Sequence, residues 1–156
     1  MDKKYKLTQE GIERFKAEYE KQKVLRDENI IAIQEAKSQG DLSENADYSS
    51  AREVQRDIAA KIKELEEILN NYEPIVLTDE NNLGKYITFR FLDENEEETY
   101  QLVGTIEADP LQNRFSDVSP LGKASFTAKA GQTVRYKTDD DEQHDVLIVK
   151  ISKKKN

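Results

Sequence analysis

The feature that most constrains the fold is a stripe of residues between positions 48 and 72. Its members recur at alternating spacings of three and four residues, which is the a/d repeat of a coiled coil, and charged side chains fill the positions between them. The stripe consists of Tyr48, Ala51, Gln55, Ile58, Ile62, Leu65, Leu69 and Tyr72. It predicts a long helix that packs against a partner helix, and Pro74 predicts the end of that helix.

A rougher stripe lies earlier in the chain and supplies the expected partner. Its members are Ile12, Phe15, Tyr19, Gln22, Arg26, Ile30, Ile33 and Ala36. Two such stripes joined by a short link that contains Gly40 predict an antiparallel helical hairpin. Each arm would have about 30 residues and extend roughly 45 Å, with the link at the end away from both termini.

The pattern changes after Pro74 from a helical period to an alternation of two. A short helix is predicted over residues 119–129, with Ser119 as its N-cap and Pro120 at its first position. Strands are predicted over residues 75–77, 84–92, 99–106, 132–137 and 144–152. The chain therefore predicts an α+β protein, with a hairpin over residues 1–75 and a small globular domain over residues 76–156.

Composition narrows the possible functions. The chain contains no Cys and a single His144, which excludes disulfides, thiolate metal sites and histidine-rich sites. It shows no signal peptide and no apolar run long enough to span a membrane, so a cytoplasmic protein without a membrane partner is expected. The net charge of −8 disfavours free DNA or RNA as the main partner, since binding by counterion release needs a basic excess.

The link between the two arms reads G-D-L-S-E-N-A-D-Y over residues 40–48 and supports two interpretations. Asp41 and Glu44 have the spacing of a capping box, and Ser43 is an alternative cap, so spacing alone favours a structural role. Alternatively, the two carboxylates share one Mg²⁺ ion. They would hold it weakly on an exposed turn, because Mg²⁺ prefers six oxygen ligands, so another protein would have to supply more.

Longer motifs favour the second interpretation through a resemblance. The segment S-Q-G-D-L-S-E-N-A-D-Y-S-S-A-R-E-V-Q, together with L-T-Q-E-G nearer the start, resembles the bacterial transcript cleavage factors of the GreA/GreB family. G-T-I-E-A-D-P and S-P-L-G-K-A are similar to motifs of the C-terminal domain of that family. The resemblance runs through nearly the whole chain in order. The acidic balance and S-P-L-G-K-A are more similar to GreA than to GreB.

The resemblance implies a coiled-coil hairpin followed by an FKBP-like globule. It implies that the globule docks at the rim of the secondary channel of RNA polymerase while the hairpin enters the channel. There the factor, which is not an enzyme by itself, would stimulate the polymerase's own Mg²⁺-dependent cleavage of backtracked nascent RNA and rescue arrested complexes. A monomer is expected. The resemblance further implies that the protein regulates DNA-templated transcription elongation and binds DNA. The acidic charge balance disfavours DNA binding.

Individual residues take roles from the same resemblance. Asp41 and Glu44 match the acids that help hold the second catalytic Mg²⁺ beside the aspartates of the polymerase, and Ser43 matches a serine that would orient the site. Ser119 and Pro120 match the segment that contacts the polymerase, a role compatible with starting a helix.

Three further residues are expected near the RNA. They are Lys37, where the family usually has Arg, and Asn45 and Arg52. Lys37 and Arg52 are equally well explained as a solvated pair beside the turn. Tyr48 belongs to the same motif, but its place on the stripe favours packing.

Three other functions compete with transcript cleavage. A related factor could enter the channel and inhibit without stimulating cleavage, which the intact Asp41 and Glu44 disfavour. A coiled-coil adaptor would use these acids only as caps. A prolyl isomerase would need an apolar pocket lined by aromatic residues, and the absence of Trp and the use of Phe on strand faces disfavour it.

Overall fold

The computed structural model describes residues 4–40 and 45–155 of the chain, and these form an α+β protein, which confirms the predicted class. No helix in the described part of the chain is long and apolar enough to cross a membrane. Two short 3₁₀ turns cover Thr105–Glu107 and Pro110–Gln112. The helices and strands, in chain order, are β1 (Tyr5–Leu7), α1 (Gln9–Lys37), α2 (Ala46–Asn70), β2 (Tyr72–Pro74), β3 (Tyr86–Phe91), β4 (Glu96–Val103), β5 (Arg114–Ser116), α3 (Pro120–Ser125), β6 (Thr133–Lys137) and β7 (Gln143–Ser152).

The chain divides into two compact units. The first spans Ile12–Tyr72 and holds most of α1 and all of α2. The second joins the described residues up to Gly11 to the residues from Glu73 onward. A single boundary after residue 75 therefore does not describe the division, because β1 and the start of α1 belong to the second unit.

The first unit is a helical hairpin whose arms run antiparallel. Hydrogen bonds between the arms pair the end of α1 with the start of α2, and earlier residues of α1 with later residues of α2. They join Ala36 to Asn45, Asn29 to Ala51 and Gln55, and Tyr19 to Glu66. This order of partners is that of an antiparallel pair, as predicted.

The stripe on α2 is mostly confirmed. Ala51, Ile58, Ile62 and Leu65 are all buried, each with no more than 9% of its surface exposed. Near the end of the helix the buried residue is Ile68, while Leu69 is half-buried. The regular repeat therefore predicts this face well except over its last turn.

The stripe predicted on α1 is wrong at one position. Ile30 is 40% exposed, and its neighbour Asn29 is half-buried instead. The Asn29 Nδ2 donates to the Ala51 carbonyl at 2.8 Å and to the Gln55 Oε1 at 3.0 Å. Spacings of four and three residues counted strictly from Phe15 reach position 29. The polarity of Asn29 masked its place on the inner face.

The second unit is built on a five-stranded sheet in the order β5-β4-β3-β7-β6. All neighbours are antiparallel except β4 and β5, which are parallel. On the central strand β3 and its neighbour β7, four residues are fully buried: Ile87, Phe89, Val146 and Ile148. Leu121 of α3 packs against the same core, which places α3 on a face of the sheet.

The longer predicted strands are confirmed by β3, β4, β6 and β7. The run Ile75–Leu77 is not a strand; the preceding residues form β2, which pairs with β1 in a separate sheet of two strands. The three-residue strands β1, β2 and β5 were not predicted. Segments this short contain too little alternation to be recognised.

A buried carboxylate explains why the first residues belong to the second unit. Glu107 is only 4% exposed and accepts hydrogen bonds from the Thr8 backbone N–H at 2.5 Å and the Thr8 Oγ1 at 2.7 Å. The Thr8 Oγ1 in turn accepts from the Gly11 N–H at 3.0 Å, which caps α1. A Cβ at residue 11 would overlap the Glu107 carboxylate, so glycine is required there. The motifs L-T-Q-E-G and G-T-I-E-A-D-P thus meet in this contact.

Candidate functional site

The turn of the hairpin carries the residues to which the sequence assigns chemistry. Asp41, Ser43 and Glu44 lie outside the described residues, so their predicted metal and catalytic roles stay predictions. The described residues on either side of the turn are the end of α1 with the three residues that follow it, up to Gly40, and Asn45 with the start of α2. Gly40 has a φ of +109°, a backbone conformation that favours glycine.

The N-cap of α2 is Asn45. Its backbone is extended, with φ −86° and ψ 100°, and its Oδ1 accepts from the Tyr48 N–H at 3.0 Å. The helix therefore begins at Ala46, and the predicted start, a capping box of Asp41 and Glu44 or a cap at Ser43, was wrong. An N-cap directly precedes its helix, and the Glu of a capping box lies three residues after the cap. By their places in the chain, these three residues come too early for either role.

Asn45 makes a second hydrogen bond across the hairpin. Its Nδ2 donates to the Ala36 carbonyl at 2.7 Å, next to the last residue of α1. Ala36 is 4% exposed and Asn45 is half-buried. One side chain thus joins the end of the first helix to the beginning of the second, and sequence analysis missed this role.

Two cations lie beside the turn. Lys37 is the last residue of α1, Arg52 lies in the second turn of α2, and both are exposed. The Arg52 guanidinium lies 6.0 Å from the centre of the Tyr48 ring, and its Nη1 is 3.4 Å from the Tyr48 hydroxyl. Neither cation forms an ion pair with a carboxylate of residues 4–40 or 45–155. Tyr48 itself is half-buried, in keeping with its place on the stripe.

The described part of the chain contains no cluster of side chains suited to a metal ion. Within residues 4–40 and 45–155, no group of three or more His, Cys, Asp or Glu side chains could hold a metal ion. The candidate donors are Asp41 and Glu44, whose hard carboxylate oxygens suit Mg²⁺. Two carboxylates fill only part of an octahedral shell, so this donor set fits a metal shared with a partner and not a self-sufficient site.

The predicted start of α3 is confirmed. The Ser119 Oγ accepts from the Gly122 N–H at 3.0 Å and donates to the Ser116 carbonyl at 2.6 Å. Pro120 occupies the first helical position and is exposed. Val118, the residue before the cap, is 59% exposed although it is apolar. It lines a cleft of about 250 Å³ together with Lys4, Tyr5, Lys6, Gly104, Thr105, Ile106 and Asp117, which sequence analysis did not predict.

We expect Ser119→Ala to lower the free energy of unfolding of the second unit by about 1 kcal/mol, because it removes a helix cap. Ser119→Thr keeps a hydroxyl at this position and should unfold much closer to the parent. Urea denaturation followed by circular dichroism measures both. Equal stability of the parent and Ser119→Ala would contradict the capping hydrogen bond.

A second cavity, of about 300 Å³, lies at one end of the sheet. Phe91, Tyr100, Tyr136 and His144 contribute rings to its lining, and its other residues include Asp93, Glu94, Glu96, Glu98 and Asp145. Burial, with a further contribution from Glu98, raises the pKa of Tyr100 to about 12, and the Tyr100 hydroxyl donates a hydrogen bond to Glu98. The cavity has aromatic walls, contrary to the expectation from sequence, but its carboxylates make it polar.

Both units match models of one family. Residues 5–73 match the model described as "Transcription elongation factor, N-terminal", and residues 77–153 match "Transcription elongation factor, GreA/GreB, C-term". These matches place the chain in the class of transcription elongation factors.

Relatives along the full length narrow this class. A protein from Acholeplasma laidlawii named transcription elongation factor GreA is 44% identical over 154 residues, covering 96% of this chain and 98% of the relative. A protein of the same name from Lactococcus lactis subsp. cremoris is 39% identical, covering 97% and 99%. The chain therefore belongs to the GreA/GreB family of transcription elongation factors, which confirms the resemblance. Among solved structures, the GreA factor homolog 1 (Gfh1) protein of Thermus thermophilus is 25% identical over 96% of this chain and 99% of that one, with a TM-score of 0.46.

Proposed function

We propose that this chain is a transcript cleavage factor. It inserts the hairpin turn into the secondary channel of RNA polymerase, stimulates the polymerase's own Mg²⁺-dependent cleavage of backtracked nascent RNA, and so rescues arrested complexes. The observation that carries this proposal is the cap at Asn45. Since Asn45 starts α2, the capping role no longer accounts for Asp41 and Glu44. Carboxylates at the turn of a hairpin in a transcription elongation factor then favour chemistry at a partner's active centre.

Asp41 and Glu44 would hold an Mg²⁺ ion jointly with the polymerase, and weakly or not at all in the isolated protein. When bound, such an ion stabilises negative charge on phosphate oxygens and lowers the pKa of a coordinated water. The two carboxylates supply the charge and the oxygen ligands, and Ser43 would orient the site through its hydroxyl. This chain completes a site and is not an enzyme alone.

Lys37 and Arg52 would face the RNA 3′ segment. Both are exposed beside the turn, and Tyr48 holds the Arg52 guanidinium through its ring and its hydroxyl. Two cations without carboxylate partners among the described residues are suited to phosphate groups. Lys37 would contribute a point charge, since lysine cannot make the paired hydrogen bonds of an arginine fork.

The second unit would dock on the polymerase through the surface around Ser119 and Pro120. Ser119 is held by two hydrogen bonds, so this surface starts from a rigid helix end. The exposed Val118 extends it with apolar area, which is common at the core of protein interfaces. The factor acts as a monomer in the cytoplasm, and DNA binding by the isolated protein stays a prediction.

The competing functions have less support. A prolyl isomerase requires an apolar pocket, and the aromatic cavity at the end of the sheet is lined with carboxylates instead. An adaptor needs the acids of the turn only as caps, whereas the cap is Asn45. An inhibitory relative remains the second candidate, and the assay below separates it from a cleavage factor.

Adding the protein to a backtracked elongation complex with Mg²⁺ should release short 3′ RNA fragments faster than the polymerase does alone. Gel analysis of end-labelled RNA measures the rate, and a parallel binding measurement uses labelled protein and core polymerase. The same complex without added protein is the control. Binding without faster release would overturn the proposal in favour of an inhibitor, and absence of binding would favour an adaptor.

A further inference from the structure

The side chain of Asn45 is already engaged inside the hairpin. Its oxygen accepts from the Tyr48 N–H at 3.0 Å and one of its amide hydrogens is donated to the Ala36 carbonyl at 2.7 Å. The residue is half-buried. An amide used in this way has little left for RNA, although the family resemblance places Asn45 near it.

The Ala36 carbonyl, near the end of α1, accepts two hydrogen bonds from residues beyond the helix. The last carbonyls of a helix lack partners within the helix. Here the Ala36 oxygen accepts from the Gln39 N–H at 3.2 Å as well as from the Asn45 side chain. A local hydrogen bond from Gln39 and a hydrogen bond from Asn45, at the start of the second arm, therefore converge on this carbonyl.

Capping alone does not require asparagine at this position. Ser and Asp cap helices about as well as Asn, and Thr somewhat less well, because each offers an oxygen to the backbone N–H groups of the first turn. A carboxylate has no hydrogen to donate, and a hydroxyl lies on a shorter side chain. Among these residues, the amide is the group suited to accept from Tyr48 and donate to Ala36 at once.

We propose that Asn45 is a positioning residue for transcript cleavage. Its bridge to Ala36 joins the two ends of the turn that carries Asp41 and Glu44. With these two ends joined, Asp41 and Glu44 would lose less conformational freedom on binding the metal at the active centre of the polymerase, which would favour metal binding. This inference rests on the proposed function and replaces a direct contact with RNA by an action through the two acids.

Asn45→Ser tests the bridge because serine keeps the cap and removes the long amide. Asn45→Thr is measured beside it, so a defect peculiar to serine cannot account for the result. Asn70→Ser, at the exposed far end of α2, is the matched control. We expect Asn70→Ser to melt at the temperature of the parent. The two Asn45 variants should melt only a few degrees lower, since they lose one hydrogen bond but keep the cap.

Cleavage kinetics give the decisive measurement. The Mg²⁺ concentration for half-maximal cleavage should rise roughly fivefold in both Asn45 variants, the effect of losing one hydrogen bond. The maximal rate at saturating Mg²⁺ and the affinity for polymerase should stay near the parent values. A lower maximal rate with unchanged half-saturation would overturn the proposal in favour of an RNA contact, and unchanged kinetics would also overturn it.

A measurement without polymerase separates this inference from the proposed function. In amide hydrogen exchange followed by NMR, the Gln39 N–H should exchange several-fold faster in Asn45→Ser, because its acceptor, the Ala36 carbonyl, is less firmly held. The Tyr48 N–H should keep its protection, because the cap persists. Unchanged exchange at Gln39 would overturn the bridge even if the protein stimulates cleavage, and absence of cleavage by the parent would not affect this result.

Discussion

Asp41→Asn and Glu44→Gln should each reduce stimulated RNA cleavage by roughly 100-fold or more, to the level of the polymerase alone. Each change removes a negative charge and one carboxylate ligand from a metal that would have only two ligands on this chain. A loss of this size corresponds to about 2.7 kcal/mol of stabilisation of the transition state, within the several kcal/mol that a catalytic metal supplies. The rate of fragment release is measured with saturating protein at fixed Mg²⁺.

Glu53→Gln is the matched control, since it removes one negative charge from an exposed position on α2. It should cleave like the parent, and all three variants should compete equally for polymerase. Because Asn45 is the cap of α2, Asp41→Asn should also melt at the temperature of the parent. Full cleavage by Asp41→Asn and Glu44→Gln would disprove the shared metal site.

Gly122→Ala should destabilise the second unit by about 3 kcal/mol or more, although alanine normally favours a helix over glycine. A Cβ at this position would overlap the backbone carbonyl oxygen of Ser116 and crowd the Ser119 Oγ. The obstacle is largely backbone, so a change of side-chain rotamer does not relieve it. For a unit of this size, the melting temperature should fall by roughly 12–24 °C, as measured by calorimetry.

Lys123→Ala changes the next residue of the same helix, where the side chain is exposed, and serves as the control. It should stay within about 0.5 kcal/mol of the parent, as surface substitutions usually do. A loss below about 1 kcal/mol in Gly122→Ala would show that α3 can move away from Ser116 at little cost. The loop between β5 and α3 would then be less rigid than its hydrogen bonds suggest.

The hairpin could be predicted from sequence because its packing follows a repeat that is visible in the chain. The prediction failed where the polarity of a residue does not match its burial. Asn29 is polar but half-buried, and its amide finds two partners on α2. Ile30 is apolar but 40% exposed. A count of spacing identifies the inner residue here, whereas a search for apolar side chains selects its neighbour.

The second unit shows which information a local pattern lacks. The long strands alternate visibly, but β5 has three residues and joins β4 in parallel through a non-local pairing. The Thr8–Glu107 contact joins residues 99 positions apart, and neither residue type is typical of a core. Such contacts depend on the complete fold, so sequence periodicity does not predict them.

The candidate site could be located from sequence only in part. The acids of the turn stand out by their spacing, but spacing alone favoured a capping box that the start of α2 at Ala46 excludes. The N-cap of α2 is Asn45, which belongs to the same motif as the two acids. Its bridge to Ala36 depends on the approach of two helix ends, which no local pattern encodes.

The buried Glu107 also sets an order of events during protein synthesis. Glu107 accepts hydrogen bonds from the N–H and the hydroxyl of Thr8, and Thr8 leaves the ribosome 99 residues earlier. At about 5–20 residues per second, β1 and the first turn of α1 wait roughly 5–20 s for this carboxylate. The hairpin arms can pair during that interval, since the compact unit that they form, Ile12–Tyr72, is synthesised before Glu107. A gene fragment that encodes only the residues after Tyr72 would therefore yield a second unit that lacks β1 and leaves the Glu107 carboxylate exposed.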